Sequence, residues 1–338
     1  MSSERANDST HIVSVDAPAR LHLGFVDMEG GYGRRFVSLG LPITGVATRL
    51  TATRADAVTV EGPGGDRASR YLQTIRERLG LKTGIHLRLL QAIPEHVGLG
   101  SGTQMALAVG TAASRLAGLA LTSAELASLM GRGLRSGIGI AASEQGGFIL
   151  DGGRGHNTVV PPVIARLPFP EQWRVLLIFD HNRQGVHGAG EAEAFAQLPT
   201  MTAATAAELC RRVLVQMLPA LAEGQFDVFA DAVKVVQDAM GDMFAAAQGG
   251  RYSSPRVAAV LDWLLGKGVR GIGQTSWGPT GFALFPDDSS ALAAQAEARA
   301  RWRDSSLEFV VVRGLNRGLA VQETRARQSG ALAQALSS

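Results

Sequence analysis

"PEHVGLGSGTQMALAVGTAA", residues 94–113, runs from a proline through three closely spaced glycines and a serine straight into an alanine-rich helix. A helix start exposes backbone N–H groups without intrahelical partners and the positive end of the helix dipole, so it holds an anion without needing a cationic side chain. Gly98, Gly100 and Gly102 let the backbone approach closely and take positive φ, while Ser101 and Thr103 add hydroxyl donors. The same residues also suit an ordinary strand-to-helix turn. No lysine follows in the Walker position, which excludes a P-loop, and "GIGIAA" (Gly137–Ala142) lies too deep in the chain for a dinucleotide fingerprint.

Upstream of the loop the chain is β-rich. "HIVSVDAPARLHLGF" (11–25) alternates apolar and polar residues over two runs broken at Pro18. A glycine turn, "GGYGRRF" (30–36), leads to two more β runs, a helix over 67–79 stopped by Gly80, and another strand. Downstream, a helix over 123–134 precedes the glycine-dense "RSGIGIAASEQGGFILDGG" (135–153). The buried strand "RVLLIFD" (174–180) opens a second half, with helices over 206–221 and 226–244 and a third starting within "SSPRVAAVLDWLLGKG" (253–268). "GFALF" (281–285), an alanine-rich helix and "LEFVVV" (307–312) complete the pattern of an α+β sandwich. The predicted division is an N-terminal domain over 11–172, a ferredoxin-like α+β C-terminal domain over 173–325, and tails at 1–10 and 326–338.

Of the 338 residues, 46% are hydrophobic and 19% charged, which excludes disordered and fibrous classes. The pI near 9.4 suits anionic small molecules. The arginines are scattered, with no basic run interleaved with aromatics, so no nucleic-acid partner is expected. A single cysteine, Cys210, fits a reducing cytoplasm; the polar N-terminus has no signal-peptide core, and no apolar stretch reaches membrane-spanning length.

Three stretches in order carry a resemblance to the GHMP small-molecule kinases. "IPEHVGLGSGTQMALA" (93–108) resembles their second motif, "RSGIGIAASEQGG" (135–147) sits where their Ser-Gly-Val-Asp segment would be, and "GIGQTSWGPTGFALF" (271–285) sits at their third. The resemblance implies their two-domain α+β fold. It fails where phosphoryl transfer is performed: the kinase aspartate falls on Gly139, a magnesium-binding serine on Gly102, and a glutamate near Ser128. Glycine cannot take a hydroxyl proton. A kinase working without the aspartate and a non-catalytic regulator on this fold are the alternatives. "APARLHLGFVDMEGGYGRR" (17–35), together with 136–153 and 271–279, is similar to the beta-ribofuranosylaminobenzene 5'-phosphate synthases, a branch of the same fold. That resemblance implies condensation of 5-phosphoribosyl 1-diphosphate with 4-aminobenzoate or 4-hydroxybenzoate. It further implies release of carbon dioxide and diphosphate, a place in tetrahydromethanopterin biosynthesis, a Mg2+ requirement and a homodimer.

Such a reaction needs a phosphate cradle, a group to manage charge, and a ring pocket. The cradle is assigned to Gly98, Gly100, Ser101, Gly102 and Thr103, with Arg20, His22 and Arg34. Arg20 and His22 alternate on one face of a strand, pointing either at the loop or outward. Asp27, just before the glycine turn, is a candidate base or magnesium ligand, or else a turn cap. Glu144 is a catalytic candidate because an unpaired carboxylate in an apolar segment is costly, unless it pairs with Arg132 or Arg135. Asp151, ending the strand "GFIL", is a secondary catalytic candidate or a turn residue. Gln274, Ser276 and Trp277 are assigned to the aromatic substrate, the indole stacking on a benzoate ring or packing in the core. His181 and His187, in "DHNRQGVHG" (180–188), match no metal spacing, so a polar loop is expected there, with Asp180 beside them.

Overall fold

The computed structural model describes residues 9–185, 193–195, 198–303 and 306–327. Its first sheet runs in the order β11-β1-β2-β4-β3, built from β1 (Ser9–Asp27), β2 (Val37–Ala55), β3 (Thr59–Glu61), β4 (Gly84–Gln91) and β11 (Ala320–Arg327). β5 (Phe148–Asp151) pairs with the start of β2 and with β6 (Val163–Leu167). The two runs expected on either side of Pro18 form one strand, with register shifts between Pro18 and Arg20, His22 and Gly24, and Phe25 and Asp27. Bulges re-aim successive side chains, so Leu21, His22, Leu23, Phe25 and Val26 are all buried although they alternate in sequence. β11 belongs by chain order to the expected second domain, but it returns to pair with β1, Ser9 opposite Arg327. It covers an edge that β1 would otherwise expose, and residue 325 falls inside a strand of the first sheet.

α1 (Gly65–Leu79) ends at the left-handed Gly80. α2 (Ser101–Leu116) is buried on nearly every side, as a helix apolar all round must be. α3 (Ser123–Leu129) stops short of residue 134, because Gly131 and Gly133 take φ of 62° and 84°. α4 (Ile138–Glu144) then leads to β5.

In the second half β7 (Arg174–Asp180) lies inside an antiparallel sheet ordered β10-β7-β9-β8, with β8 (Ile272–Gln274), β9 (Gly281–Phe285) and β10 (Leu307–Val312). Its helices are α5 (Ala203–Arg212), which continues through a π-helical turn, Val213–Met217, into α6 (Leu218–Ala222), then α7 (Phe226–Gln248), α8 (Pro255–Gly266) and α9 (Asp288–Arg301). Among the described residues no helix is long and apolar enough to cross a membrane. The halves share one core: Phe229 of α7 meets Phe148 at 5.4 Å and Trp173 at 5.2 Å between ring centroids. A close-packed junction of this kind holds the cleft between the halves in one shape.

Candidate active site

The loop before α2 interlocks with the turn between β8 and β9. A Cβ on Gly98 would lie 2.2 Å from the Thr275 carbonyl oxygen, and one on Gly278 2.1 Å from the Val97 carbonyl. Only glycine permits that approach. Thr275 Oγ1 donates to the Gly98 carbonyl at 3.0 Å and accepts the His22 N–H at 2.9 Å, tying β1, the loop and the turn together. Arg20 Nη1 donates to the same carbonyl at 2.6 Å, so the side chain expected at the loop is there and shapes it. α2 itself begins after Gly100, at φ 82°, with no side-chain acceptor on its first turn.

Two further arginines, without a signal in the linear sequence, join this helix start. Arg67 of α1 donates to Ser101 Oγ at 3.3 Å and pairs with Glu95 at 2.7 Å. Arg132, from the segment between α3 and α4, puts Nη2 2.6 Å from where a Gly102 Cβ would stand. Gly139 also faces the loop, its Cβ position 3.1 Å from Thr103 Cγ2. The arrangement gathers backbone N–H groups, hydroxyls and guanidinium groups into a cradle of the composition an anion would need. An open groove, lined by Gly62, Gly64, Arg67, Arg70 and Glu95 among others, lies beside it.

His22 does not join that cradle. It is buried, and burial, followed by the charge of Arg20, lowers its pKa from 6.5 to about 3, so the ring is neutral. It lines a narrow pocket with Phe25, Phe244, Tyr252, Gln274 and Trp277. Trp277 packs edge-to-face on Phe195 at 5.1 Å and Phe244 at 4.5 Å, as its core-packing reading expects, and also lines the pocket. Gln274 is spent on the wall itself: its Oε1 accepts the Ser253 N–H at 2.7 Å and its Nε2 donates to Gln248 at 3.1 Å. Ser276 is exposed at φ 52°, its N–H on the His22 carbonyl at 3.3 Å.

Asp27, Arg34 and Asp151 form a third group. Asp27 Oδ1 accepts the N–H groups of Glu29 at 2.8 Å and Gly30 at 3.3 Å, which is the turn-cap arrangement. Arg34 donates to the carbonyls of Gly152 at 2.6 Å and Gly153 at 2.8 Å, tying its turn to the loop after β5 rather than reaching the cradle. Asp151, expected as a catalytic carboxylate, is fully buried and accepts from Ser38, Ser136, Gly137 and Gly153. Burial pushes its pKa up against those hydrogen bonds. Its acceptor capacity is used inside the fold, which makes it a structural hub. Glu144 stands apart: α4 turns its side chain out to solvent, so the expected cost of a buried carboxylate does not arise.

Asp180 is buried; burial raises its pKa, but hydrogen bonds from Ser254, Asn182 and Ser306 pull it lower overall. His181 pairs with Glu308 at 2.9 Å, and His187 lies outside the described residues. Among the described residues no three His, Cys, Asp or Glu side chains group so as to hold a metal.

Residues 66–147 match the GHMP kinases N terminal domain and residues 217–304 the GHMP kinases C terminal domain. A homoserine kinase from Cytophaga hutchinsonii has the same fold, at TM-score 0.63 and 19% identity, covering 95% of this chain and all of that one. The mevalonate diphosphate decarboxylase of Staphylococcus aureus does so at TM-score 0.64 and 14% identity, over 93% and 98% of the two chains. Fold and cradle together define a protein of GHMP type. Sequence similarity is stronger to the beta-ribofuranosylphenol 5'-phosphate synthases of Archaeoglobus fulgidus, 30% identical over 92% of this chain and 100% of that one, and Methanothermobacter thermautotrophicus, 29% over 90% and 97%. The chain belongs to that synthase family.

Proposed function

We propose that this protein is a C-ribosyltransferase that joins 5-phosphoribosyl 1-diphosphate to a 4-hydroxy- or 4-aminobenzoate, in the making of a methanopterin-type carrier. The observation that carries the reading is Gly139 beside Thr103: the cradle keeps its donors, and the place next to it offers no side chain to deprotonate an attacking hydroxyl. The names of the synthase relatives support it.

The α2 N-terminus, with Ser101, Thr103, Arg67 and Arg132, holds the diphosphate and stabilises its charge as the ribose C1–O bond breaks. The ring carbon bearing the carboxylate attacks ribose C1. The C–CO2 bond then breaks, its electron pair restores the aromatic ring, and carbon dioxide leaves. Arg20 positions the loop through the Gly98 carbonyl.

Mg2+ belongs to the proposal as an ion arriving on the diphosphate, which needs only one or two protein carboxylates. The donor set fits that and not a protein-only cage. Glu95, bound to Arg67 beside Ser101, is the carboxylate that would meet the ion; Asp27 caps its own turn in a separate group and makes no contact with the cradle residues among the described ones. The ion would supply charge neutralisation on the leaving group. Homodimerisation and a cytoplasmic location are part of the same proposal and rest on the family resemblance and composition; light scattering tests the dimer.

The test is release of carbon dioxide and diphosphate from carboxyl-labelled 4-hydroxybenzoate and 4-aminobenzoate with 5-phosphoribosyl 1-diphosphate and Mg2+. Release of both products is expected. Consumption of ATP with phosphorylation of a small alcohol, and no release, would overturn it.

A further inference from the structure

Gly102 lies in the first turn of α2, where alanine would favour the helix more than glycine does. A Cβ there would stand 2.6 Å from Arg132 Nη2 and 3.5 Å from the Tyr71 hydroxyl, so a side chain at this position would evict the guanidinium. Three elements meet on the bare spot. The Arg132 backbone is fixed by the end of α3, where its N–H donates to the Ala127 carbonyl at 2.8 Å and that of the left-handed Gly131 to the Ser128 carbonyl at 3.3 Å. Its guanidinium carbon lies 5.8 Å over the Tyr71 ring, which packs against buried apolar residues of the first domain. Tyr71 follows Arg67 by four residues, so the two share a face of α1; Arg67 reaches Ser101 and Tyr71 is directed at Gly102. The charge of Arg67 is matched by Glu95 at 2.7 Å. Among the described residues Arg132 forms no ion pair and the Tyr71 hydroxyl no hydrogen bond.

We propose that Tyr71 and Arg132 act as a donor pair on the leaving diphosphate, and that Gly102 is the seat that lets them converge. The inference rests on the ribosyl-transfer reading of this helix start. The backbone N–H groups of Ser101, Gly102 and Thr103 precede the first intrahelical bond, from the Gln104 N–H to the Gly100 carbonyl at 3.0 Å, and they bring donors without net charge. Diphosphate gains negative charge as the ribose C1–O bond breaks, so a cation beside those donors counts most at that moment. Arg67 is already neutralised by Glu95, whereas the charge of Arg132 is uncompensated. A guanidinium held over an aromatic ring keeps its N–H groups for an oxyanion and loses little side-chain freedom when one binds. The Tyr71 hydroxyl adds a neutral donor on the same bare face of α2. Tyr71 therefore serves twice, with its ring under the guanidinium and its hydroxyl toward the anion.

The test is calorimetric binding of inorganic diphosphate to the full chain at one fixed Mg2+ concentration. Gly102→Ala should leave the thermal midpoint unchanged or higher, since alanine favours the helix, yet weaken diphosphate about tenfold. Arg132→Met should match that loss, and the double variant should be no weaker than either single one, because both remove the same guanidinium contact. Tyr71→Phe keeps the ring and drops the hydroxyl; a loss of about fivefold is expected. Affinity for 4-hydroxybenzoate should stay within about twofold in all four variants. A wild-type chain that takes up no diphosphate would overturn the assignment. So would Gly102→Ala or Tyr71→Phe binding it normally, losses that add in the double variant, or equal losses for diphosphate and the benzoate. Product release from the same samples separates the two proposals. Diphosphate binding that falls as expected in a chain releasing neither product sinks the reaction and keeps the donor pair; release with binding unchanged in every variant sinks the donor pair and keeps the reaction.

Discussion

Two helix N-termini lie against each other in the first domain and are finished in opposite ways. The start of α4 is closed from within: Asp151 accepts the Gly137 N–H at 2.8 Å and Ser136 Oγ at 3.1 Å, and Ser136 Oγ accepts the Ile138 N–H at 3.2 Å. The start of α2 has a left-handed glycine, no side-chain acceptor, and guanidinium groups around it. The two touch where Gln104 Nε2 donates to the Gly139 carbonyl at 2.8 Å. Both have orphan N–H groups to satisfy. One is satisfied by a buried carboxylate of its own chain, and the other is open to a carboxylate's equivalent carried on a substrate. An aspartate in a glycine-rich segment can therefore be spent on the fold, while the helix start proposed to hold the diphosphate has none.

The sharpest way to break this contrast is Gly98→Val. Its Cβ would fall 2.2 Å from the Thr275 carbonyl at φ 84°, and turnover should drop on the order of 1000-fold, with circular dichroism reporting whether the fold survives. Wild-type product release from a folded variant would remove the loop from the site. Next comes Asp151→Ala, which strands the donors of Ser38, Ser136, Gly137 and Gly153. A stability loss on the order of 3 kcal/mol is expected in urea titration, with turnover per folded molecule little changed. If stability held and turnover vanished, the two helix starts would be functionally alike.

His22 adds a pH signature. Its folded pKa of about 3 lies below the ordinary 6.5, so between those values the native state binds fewer protons than the unfolded chain. Stability should rise with pH through that window and fall toward acid by up to about 1.4 kcal/mol per pH unit. Urea titrations of His22→Phe over the same range should show a flatter profile. Arg132→Met sharpens the picture of the open terminus: KM for 5-phosphoribosyl 1-diphosphate should rise about tenfold and that for the benzoate stay within about twofold. A rise in both would place Arg132 in general folding rather than in the cradle. The smallest effect is expected from Glu144→Gln, whose side chain is exposed; steady-state rates should stay within about twofold. A large loss would return this carboxylate to the mechanism.

Local pattern carried much of the architecture. The α1 span ends at Gly80 as its glycine stop predicts, β7 sits where "RVLLIFD" is apolar throughout, and α8 starts at Pro255 behind the Ser254 cap. The misses share one cause. β11 belongs to the first sheet because its partner, β1, is about three hundred residues away, and no periodicity reports a partner at that distance. The apolar spacing overstates α3 because it runs past glycines whose positive φ is set by the packing around them.

The sequence by itself determined the GHMP-type layout, the glycine-rich start of α2, and the glycine where the kinases carry an aspartate, because these rest on residue type and order. Only the tertiary structure decided that Arg67 and Arg132 converge on that helix start, that Asp151 is a sealed hub while Glu144 faces water, and that His22 is buried and neutral in the wall of an aromatic pocket. Burial and proximity arise from contacts between distant segments, and they set whether a polar side chain is charged, paired or left with a proton to offer.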